Sequence, residues 1–403
     1  MAGPMQGLRV IEYGVWVAGP AAAGILCDWG ADVTKIEPLE GDPLRGMMAM
    51  FRAADKLESV NGPFELDNRG KRSVALNLRT PEAREIAYRL VADADVFITN
   101  VRPGGLERTG MDYATLRGRN GRLIYAQVTG YGPDGEDRDR PGFDIGAFWS
   151  RAGVAALLTP EGHDFPLQRG GMGDHFAAVG LVAGIGAALY RRAQTGEGER
   201  LSVSLARTGA YFVGFDLNIT LATGRAPSVR SREHFTNPLG GSYRTADGKG
   251  LWLLMLQADR HWPDFCRALG RPDWEHDERF ASMGARAKNA TVLVREIDAV
   301  LATKPLGEWA EVLDGSNVWW APVQTADEVV RDPVMRAAGA FVDVPLAEQG
   351  TREMVATPVD FLTSGWRAGG PAPELGQDTE AVLLGLGYDW EAIAHLKEVG
   401  AIL

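Results

Sequence analysis

The sequence predicts an α/β protein whose amino-terminal part folds as a doubly wound parallel sheet. Over roughly the first 130 residues, short β-rich runs alternate with segments of helical length. Glycine-containing turns join these segments, and 50 of the 403 residues are glycine. The apolar fraction of 45% and the charged fraction of 24% are those of an average globular protein. These features are typical of α/β enzymes whose loops pack around extended ligands.

A βαβ unit opens the chain. Residues 8–13 are β-rich, residues 21–29 after an Ala-Gly-Pro turn have helical length, and residues 32–37 form a second β-rich run. The crossover of such a unit is expected to be right-handed. The alternation then predicts a strand at 73–78, a helix at 80–91 opened by Thr-Pro-Glu, a strand at 95–99, a helix at 112–117 and a strand at 123–128. Farther along, the pattern predicts an apolar helix over 176–192 and a strand over 251–256.

Composition and charge exclude several classes of protein. The 42 basic and 53 acidic residues give a net charge of −11, which disfavours nucleic acid as a partner. Two cysteines, Cys27 and Cys266, are too few for a disulfide scaffold and suit a reducing compartment. The amino terminus has no basic leader, and the longest apolar stretch, 176–190, is expected to form a buried core helix. We therefore expect a cytoplasmic protein that binds neither nucleic acid nor a membrane. The six histidines have no metal-ligand spacing, so no metal site is expected.

Basic residues cluster in loops that follow the predicted strands. Ligands of parallel sheets bind beyond the carboxyl ends of the strands. The basic residues of these loops are Arg45, Arg69, Lys71, Arg72, Arg102 and Arg108. They could hold phosphate groups, or they could be ordinary surface residues paired with carboxylates. The first turn reads AGP and not GxGxxG, so a nicotinamide dinucleotide is not favoured.

A series of motifs spans nearly the whole chain. It includes GLRVIE at 7–12, AGP at 18–20, GADVTKIE at 30–37, GDPLR at 41–45, NVRPG at 100–104, PGFD at 141–144, GD at 173–174, TGEG at 195–198, YRTADG at 243–248 and LGQD at 375–378. In this order, the motifs resemble those of the class III coenzyme A transferases of the CaiB/BaiF type. That family includes formyl-CoA transferase and the α-methylacyl-CoA racemases.

The resemblance implies an architecture and an activity. It implies a Rossmann-like large domain from residues 1–210, completed by a returning carboxy-terminal segment, 345–403, and a smaller middle α+β domain at 225–330. Two such subunits would thread through each other as an interlocked homodimer. CoA would move from an acyl-CoA donor to a carboxylic acid acceptor. Coenzyme A would then enter as part of the substrate, and no permanently bound cofactor is expected.

Asp174 is the candidate nucleophile. It lies behind a glycine-rich turn at the start of the apolar helix, and the local pattern alone favours a helix N-cap. The resemblance implies instead that it is the catalytic aspartate, held ionised by the positive end of the helix. Asp174 would form an aspartyl–acyl anhydride and then an aspartyl-CoA thioester. Because each step passes through an oxyanion, backbone N–H donors are needed, and Gly170, Gly171, Gly240 and Gly241 are the candidates.

The resemblance also places coenzyme A along the strand ends. The residues it implies for binding are Val15, Val17, Ala18, Lys71, Arg72, Asn100, Val101 and Arg108. Two positions depart from the family pattern. Pro38 stands where some relatives have an arginine near the adenine, and Val17 stands where formyl-CoA transferase has an active-site glutamine. The second departure argues against an oxalate-and-formate substrate pair.

A transferase is not the only activity in this family. Racemases move the proton α to the thioester with two acid/base groups, and they typically carry Gly-His-Asp where this chain has Gly-Phe-Asp at 142–144. A phenylalanine cannot move a proton, so we expect a transferase. A 2-methylacyl-CoA racemase or epimerase and a non-catalytic CoA-binding relative are the alternatives. Trp16, Phe148 and Trp149 could pack in the core or line a pocket for a bulky or aromatic acyl group.

Overall fold

Six parallel strands form the central sheet of the computed structural model, which describes residues 3–47, 61–346 and 350–403. The strands are β1 Arg9–Tyr13, β2 Asp32–Glu37, β3 Arg72–Ala75, β4 Val96–Thr99, β5 Ile124–Thr129 and β6 Glu199–Ser204. Their order is β3-β2-β1-β4-β5-β6, with every neighbouring pair parallel. This is the strand order of doubly wound Rossmann-type sheets, so the predicted α/β class is confirmed.

Four of the six strands coincide closely with predicted strands, and β3 coincides in part. The strand predicted at 73–78 is shorter, because pairing with β2 ends at Ala75 and Leu76 forms an isolated bridge with Ile402. The edge strand β6 was not predicted. Its sequence, ERLSVS, is half polar and only partly buried, so it lacks the apolar run of an inner parallel strand.

Helices pack against this sheet and form much of the remaining chain. They are α1 Ala18–Asp28, α2 Gly62–Asn68, α3 Pro81–Ala92, α4 Pro103–Thr109, α5 Tyr113–Arg119, α6 Val154–Leu157, α7 Met172–Thr195, α8 Leu205–Phe212, α9 Gly214–Thr223, α10 Ala258–Ala268, α11 Met283–Lys288, α12 Ala290–Leu301, α13 Leu306–Asp314, α14 Ala326–Val329, α15 Pro333–Ala337, α16 Thr379–Gly385 and α17 Trp390–Glu398. A π-helical segment spans Phe143–Arg151. As the sequence predicted, Thr80 caps α3 with Pro81 at its first position.

The chain divides into two compact units. The first comprises Met1–Ala156, Pro166–Ala226 and Gly339–Leu403, and the second comprises Leu157–Phe165 and Pro227–Ala338. In the second unit, β7 Ser242–Arg244, β8 Gly250–Leu253 and β9 Trp320–Val323 form an antiparallel sheet beside helices. The strand predicted at 251–256 is shorter and ends at Leu253. One further bond in the same register follows it, from the Leu254 N–H to the carbonyl of Trp319 at 2.9 Å.

The carboxy-terminal segment returns to the edge of the parallel sheet. The Ser73 N–H donates to the carboxylate of Asp378 at 2.8 Å, and the Ala75 N–H donates to the hydroxyl of Thr379 at 3.0 Å. These bonds cover the edge of β3 with chain from the other end of the sequence. The same unit contains an antiparallel hairpin of β10 Phe341–Leu346 and β11 Gly350–Val355.

Candidate active site

A cleft of about 510 Å³ opens at the carboxyl ends of β1, β4 and β5, where ligands of parallel sheets bind. Its lining comes from the first unit alone. The lining residues are Val15, Trp16, Val17, Ala18, Asn100, Val101, Arg102, Pro103, Val128, Thr129, Gly130, Arg138, Arg140, Pro141, Gly142, Phe143, Asp174 and Leu205. The structure therefore brings five of the eight predicted CoA-binding residues together with Asp174.

Asn100 fixes the loop between β1 and α1. Its side-chain carbonyl accepts the Val15 N–H at 3.0 Å, and its amide donates to the Val15 carbonyl at 2.6 Å. Glycines make room for this amide. A Cβ on Gly14 would lie 2.9 Å from the Asn100 oxygen, and one on Gly19 would lie 3.3 Å from its Cγ. Asn100 thus positions the loop whose residues line the cleft.

A buried network of ion pairs contacts the same loop through the Gly14 carbonyl. The Lys35 ammonium lies 2.6 Å from Glu12, 3.0 Å from Asp42 and 3.0 Å from the Gly14 carbonyl, all within the protein interior. Burial lowers the pKa of Lys35, but the charges of Glu12 and Asp42 outweigh burial and leave that pKa raised. Asp42 in turn accepts the N–H of Trp16 at 2.9 Å. The network therefore anchors the backbone of Trp16.

Lys71 and Arg72 do not lie in the cleft. Lys71 is buried as a second partner of Glu12 at 2.6 Å, and its ammonium also donates to the Pro20 carbonyl and to Asn68. Arg72 pairs with Asp32 at 2.7 Å, where β2 and β3 begin, and so at the edge of the sheet opposite the cleft. Both residues stand at the amino end of β3, whereas the cleft opens at the carboxyl ends of the strands.

Three arginines belong to the lining of the cleft. They are Arg102, which donates to the Asp139 carbonyl at 3.0 Å, and Arg138 and Arg140 from the loop after β5. The predicted Arg108 is exposed on α4 outside this lining. Arg138 and Arg140 were not predicted, because the loop from 130 to 142 contains four acidic residues and only two basic ones and so gives no signal of positive charge.

Asp174 lies in the first turn of α7, and the N-cap interpretation is wrong. The N-cap is Gly171, whose φ of 78° is left-handed and so favours glycine, and Asp174 is the third helical residue. Gly173 is also required, because a Cβ there would lie 2.6 Å from the Phe148 ring. Across the described ranges, no residue donates a hydrogen bond to the Asp174 carboxylate, which is left for a ligand.

Asp174 is not held fully ionised, contrary to the expectation from the helix N-terminus alone. Burial raises the pKa of its carboxyl to about 7, with a further contribution from the nearby negative charge of Asp144. The charge of Asp67 raises this pKa too, whereas that of His175 lowers it. Burial and the neighbouring carboxylates therefore favour the protonated form of Asp174. Perturbed carboxylates of this kind in clefts are typical of catalytic groups.

His175 and Asp67 form a hydrogen-bonded pair beside the candidate nucleophile. The His175 Nε2 lies 3.0 Å from Asp67 Oδ1. Burial lowers the pKa of His175, but the hydrogen bond and the charge of Asp67 outweigh burial and leave that pKa raised. Burial raises the pKa of Asp67, and His175 partly opposes this rise. Asp67 gave no signal in the sequence, since it is one polar residue in a mixed segment 107 positions before Asp174.

The aromatic residues near the cleft divide into two groups. Phe148 and Trp149 are buried, and the Trp149 indole donates to the Pro166 carbonyl at 3.2 Å, so both belong to the core. Trp16 and Phe143 line the cleft and are 36% and 59% exposed. The expectation of a pocket aromatic therefore holds for Trp16 alone of the three residues considered, and Phe143 was missed as a lining residue.

The two glycine pairs differ in what the structure shows of them. Gly170 and Gly171 immediately precede α7, and within the described segments their N–H groups have no acceptor. Gly240 and Gly241 belong to the second unit. There the Gly240 N–H already donates to the Asn237 carbonyl at 2.9 Å, which leaves it unable to serve an oxyanion in this conformation.

Neither cysteine has the properties of a reactive thiol. Burial raises the pKa of Cys27 and of Cys266 to about 12. In the part of the chain that the structure describes, no group of three His, Cys, Asp or Glu side chains could hold a metal ion. Helix α7 is long and apolar enough to cross a membrane by length and composition only. Contrary to the expected buried core helix, it is only partly buried, with Phe176, Val179 and Tyr190 exposed.

The chain is similar to proteins of one family along its whole length. The family model for CoA-transferase family III matches residues 5–379. The chain is 34% identical to an (R)-2-hydroxy-4-methylpentanoate CoA-transferase of Clostridioides difficile, over 98% of each protein. It is 32% identical to a cinnamoyl-CoA:phenyllactate CoA-transferase of Clostridium sporogenes, over 98% of this chain and 96% of the relative. Among solved structures, a CaiB/BaiF family protein from Brucella suis is similar with a TM-score of 0.84 and 29% identity, over 96% of this chain and 100% of that one.

Proposed function

This chain belongs to CoA-transferase family III and is a CoA-transferase, and from that premise we propose that Asp174 carries CoA covalently from an acyl-CoA donor to a carboxylic acid acceptor. One observation carries the proposal. The Asp174 carboxylate lies in the cleft at the strand ends, largely desolvated, and accepts no hydrogen bond from the described residues around it. Such a carboxylate is poorly solvated and accessible, which favours nucleophilic attack.

The proposed reaction exchanges one activated bond for another at each step. Asp174 attacks the carbonyl carbon of the donor thioester, the C–S bond breaks, and an acyl–aspartyl anhydride and CoA thiolate form. The thiolate then attacks the aspartyl carbonyl, which releases the donor acid as a carboxylate and leaves an aspartyl-CoA thioester. The acceptor carboxylate displaces the thiolate to form a second anhydride. The thiolate finally attacks the acceptor acyl carbon, which yields the new acyl-CoA and frees Asp174.

The first turn of α7 supports the oxyanions of these steps. The first N–H groups of a helix have no partner within the helix, and those of Gly170 and Gly171 add to this set of free donors. Gly240 and Gly241 stay a prediction. No bound cofactor is needed for these steps, since coenzyme A enters and leaves with the substrates.

The phosphate groups of CoA are proposed to lie at the mouth of the cleft. Arg102, Arg138 and Arg140 are the basic residues of the cleft lining, and a phosphate would compete there with the carboxylates that pair with Arg138 and Arg140. The loop of Val15, Val17 and Ala18 supplies an apolar wall for the pantetheine. Asn100 and Val101 complete that wall. The two bacterial relatives are named for acids with branched or aromatic side chains, and we propose an acceptor or donor acid of that size.

We also propose a homodimer in the cytoplasm. Helices α7, α8 and α9 expose large apolar side chains, among them Phe176, Tyr211, Phe215 and Leu221. Exposed apolar surface of this extent is typical of a protein–protein interface, and a second copy of this chain is the proposed partner. The interlocked arrangement, the domain limits of 1–210, 225–330 and 345–403, and the absence of nucleic acid and membrane partners stay predictions.

Trapping with hydroxylamine tests the proposal. The protein is incubated with cinnamoyl-CoA, 4-methylpentanoyl-CoA or acetyl-CoA in the presence of hydroxylamine. It is then digested, and the masses of its peptides are measured by mass spectrometry. We expect a hydroxamate at Asp174 only when an acyl-CoA is present, because hydroxylamine intercepts both the anhydride and the aspartyl thioester. The peptide that contains the exposed Asp164 serves as an internal control and should stay unmodified.

The alternatives have their own outcome in the same experiment. If acyl-CoA binds and Asp174 stays unmodified, covalent transfer by this residue is refuted. Deuterium uptake at the α-carbon of 2-methylacyl-CoA in D₂O would then identify a racemase. The side chain at 143 is a phenylalanine that lines the cleft, so we expect no such uptake by the natural protein.

A further inference from the structure

Two large aromatic side chains face the solvent inside the cleft beside Asp174. Trp16 is 36% exposed and Phe143 is 59% exposed. Their rings meet edge to face, with centroids 6.1 Å apart and planes at 84°. Aromatic rings that serve only the core are buried, as Phe148 is at 1% exposed. The pair therefore presents apolar surface to whatever occupies the cleft.

Both residues have a strained backbone. The φ angles of Trp16 and Phe143 are 64° and 41°, and these two are the non-glycine residues with positive φ in the described ranges. A bulky residue in this region is destabilised by roughly 1 kcal/mol or more, and it persists only where its surroundings hold it. That both strained residues line one cleft and touch each other favours a role in binding for the pair.

The surroundings hold Trp16 through its backbone. Its N–H donates to Asp42 at 2.9 Å, and Asp42 is fixed by the buried Lys35. The preceding residue, Val15, is clamped at both its N–H and its carbonyl by Asn100. These contacts leave the indole free while its backbone is fixed, which keeps the ring oriented toward the cleft.

The surroundings hold Phe143 from the residues on either side. Gly142 packs against Gly130 so closely that a Cβ on Gly142 would lie 2.9 Å from the Gly130 Cα. Asp144, the next residue, is buried and accepts a hydrogen bond from Gln168 at 2.9 Å. Phe143 itself lies at the start of the π-helical segment, and such segments are common at functional sites.

We propose that Trp16 and Phe143 form an aromatic wall that binds the acyl group and selects bulky apolar or aromatic acyl-CoA over short acyl-CoA. This inference rests on the proposed function, because Asp174 in the same cleft fixes where the thioester carbon must lie. A large acyl group covers both rings and removes their surface from water, whereas an acetyl group leaves them hydrated. The two rings are thus specificity-determining residues of the transfer reaction.

The test replaces each ring with a residue that can still adopt the left-handed φ of these two positions. Asparagine tolerates left-handed φ far better than other side chains, so the variants are Trp16→Asn and Phe143→Asn. CoA release in the presence of hydroxylamine measures the first transfer step without a known acceptor. The donors are cinnamoyl-CoA and acetyl-CoA, and the readout is the ratio of their kcat/KM values.

We expect this ratio to fall at least about 10-fold in each variant, mainly through the cinnamoyl-CoA value, as for the loss of apolar contacts in other pockets. Trp390→Asn is the matched control, because Trp390 is 61% exposed in the same unit but lies outside the cleft lining, and its ratio should not change. Phe143→Gly, which removes both the ring and the strain, repeats the test should an asparagine variant not fold.

The outcomes separate this inference from the proposed function. An unchanged ratio in variants that still form the Asp174 hydroxamate refutes the aromatic wall and leaves covalent transfer standing. An absence of hydroxamate in the natural protein overturns the proposed function and this inference with it. A change in oligomeric state at an unchanged ratio would show that the rings serve assembly, and it also refutes the wall.

Discussion

Replacing Asp174 by asparagine should abolish transfer and yet stabilise the fold at alkaline pH. The side-chain amide cannot form the anhydride, so we expect the rate of CoA transfer to fall by about three orders of magnitude or more. The stabilisation has a separate cause. The native structure raises the pKa of this carboxyl from 3.8 to about 7, which means that it disfavours the ionised form.

The size and direction of the stabilisation follow from the two pKa values. Each pKa unit corresponds to about 1.4 kcal/mol, so the natural carboxylate destabilises the fold by at most about 4 kcal/mol above pH 7. Because the side chain is partly exposed, solvent screening reduces this to about 1–2 kcal/mol. Between about pH 4 and pH 7 the unfolded chain ionises at this position before the native protein does. The natural protein therefore loses stability there as pH rises, and the asparagine variant avoids this loss.

Urea unfolding at pH 5 and pH 8, at one protein concentration, measures the effect. We expect the variant to exceed the natural protein in free energy of unfolding by about 1 kcal/mol more at pH 8 than at pH 5. The exposed Asp164, replaced by asparagine, is the matched control and should show no such difference. A stability difference between the variant and the natural protein that does not grow from pH 5 to pH 8 would refute the reasoning that burial raises the pKa of Asp174.

Three further substitutions test other parts of the site. His175→Gln should move the acid limb of the pH–rate profile for CoA release to higher pH, because the variant lacks the positive charge that lowers the pKa of Asp174. An acid limb at the same pH in both proteins would contradict this coupling between His175 and Asp174. Gly173→Ala should destabilise the fold by about 1–3 kcal/mol because its Cβ would lie 2.6 Å from the Phe148 ring, whereas Gly180→Ala on the same helix has open space and should be neutral or stabilising; equal thermal unfolding midpoints would contradict this. Lys71→Met should lower the free energy of unfolding in urea by about 3 kcal/mol, because the buried Glu12 loses one of its two lysine partners and keeps only Lys35. A loss below about 1 kcal/mol would show that the pair of Lys71 and Glu12 is dispensable.

Local patterns in the sequence predicted the parallel sheet well, because an inner parallel strand is apolar on both faces and capping residues mark where a helix begins. Thr80 and Pro81 opened α3 where expected. The patterns failed at the edges. The sixth strand, Glu199–Ser204, is half polar, and the third strand ends early where the carboxy-terminal residue Ile402 takes over its pairing.

The candidate site was predicted in part. Motif positions identified Asp174 and the loop of Val15, Val17 and Ala18, since these depend on short stretches of chain. Lys71 was taken for a ligand residue, because its charge is visible in the sequence and its burial against Glu12 is not.

The sequence by itself predicted five of the six strands of the parallel sheet and the position of a carboxylate at the start of α7. Tertiary structure decided what that carboxylate can do. Its pKa depends on burial and on Asp67 and Asp144, which are distant along the chain but close in space. The exposure of Trp16 and Phe143 was decided in the same way, because two left-handed residues from separate loops meet only when the strand ends are brought together. The spacing of apolar residues along the chain indicates which face of a helix or strand is buried. The electrostatic coupling between charged groups and the lining of the cleft depend instead on contacts between segments that are distant in the sequence.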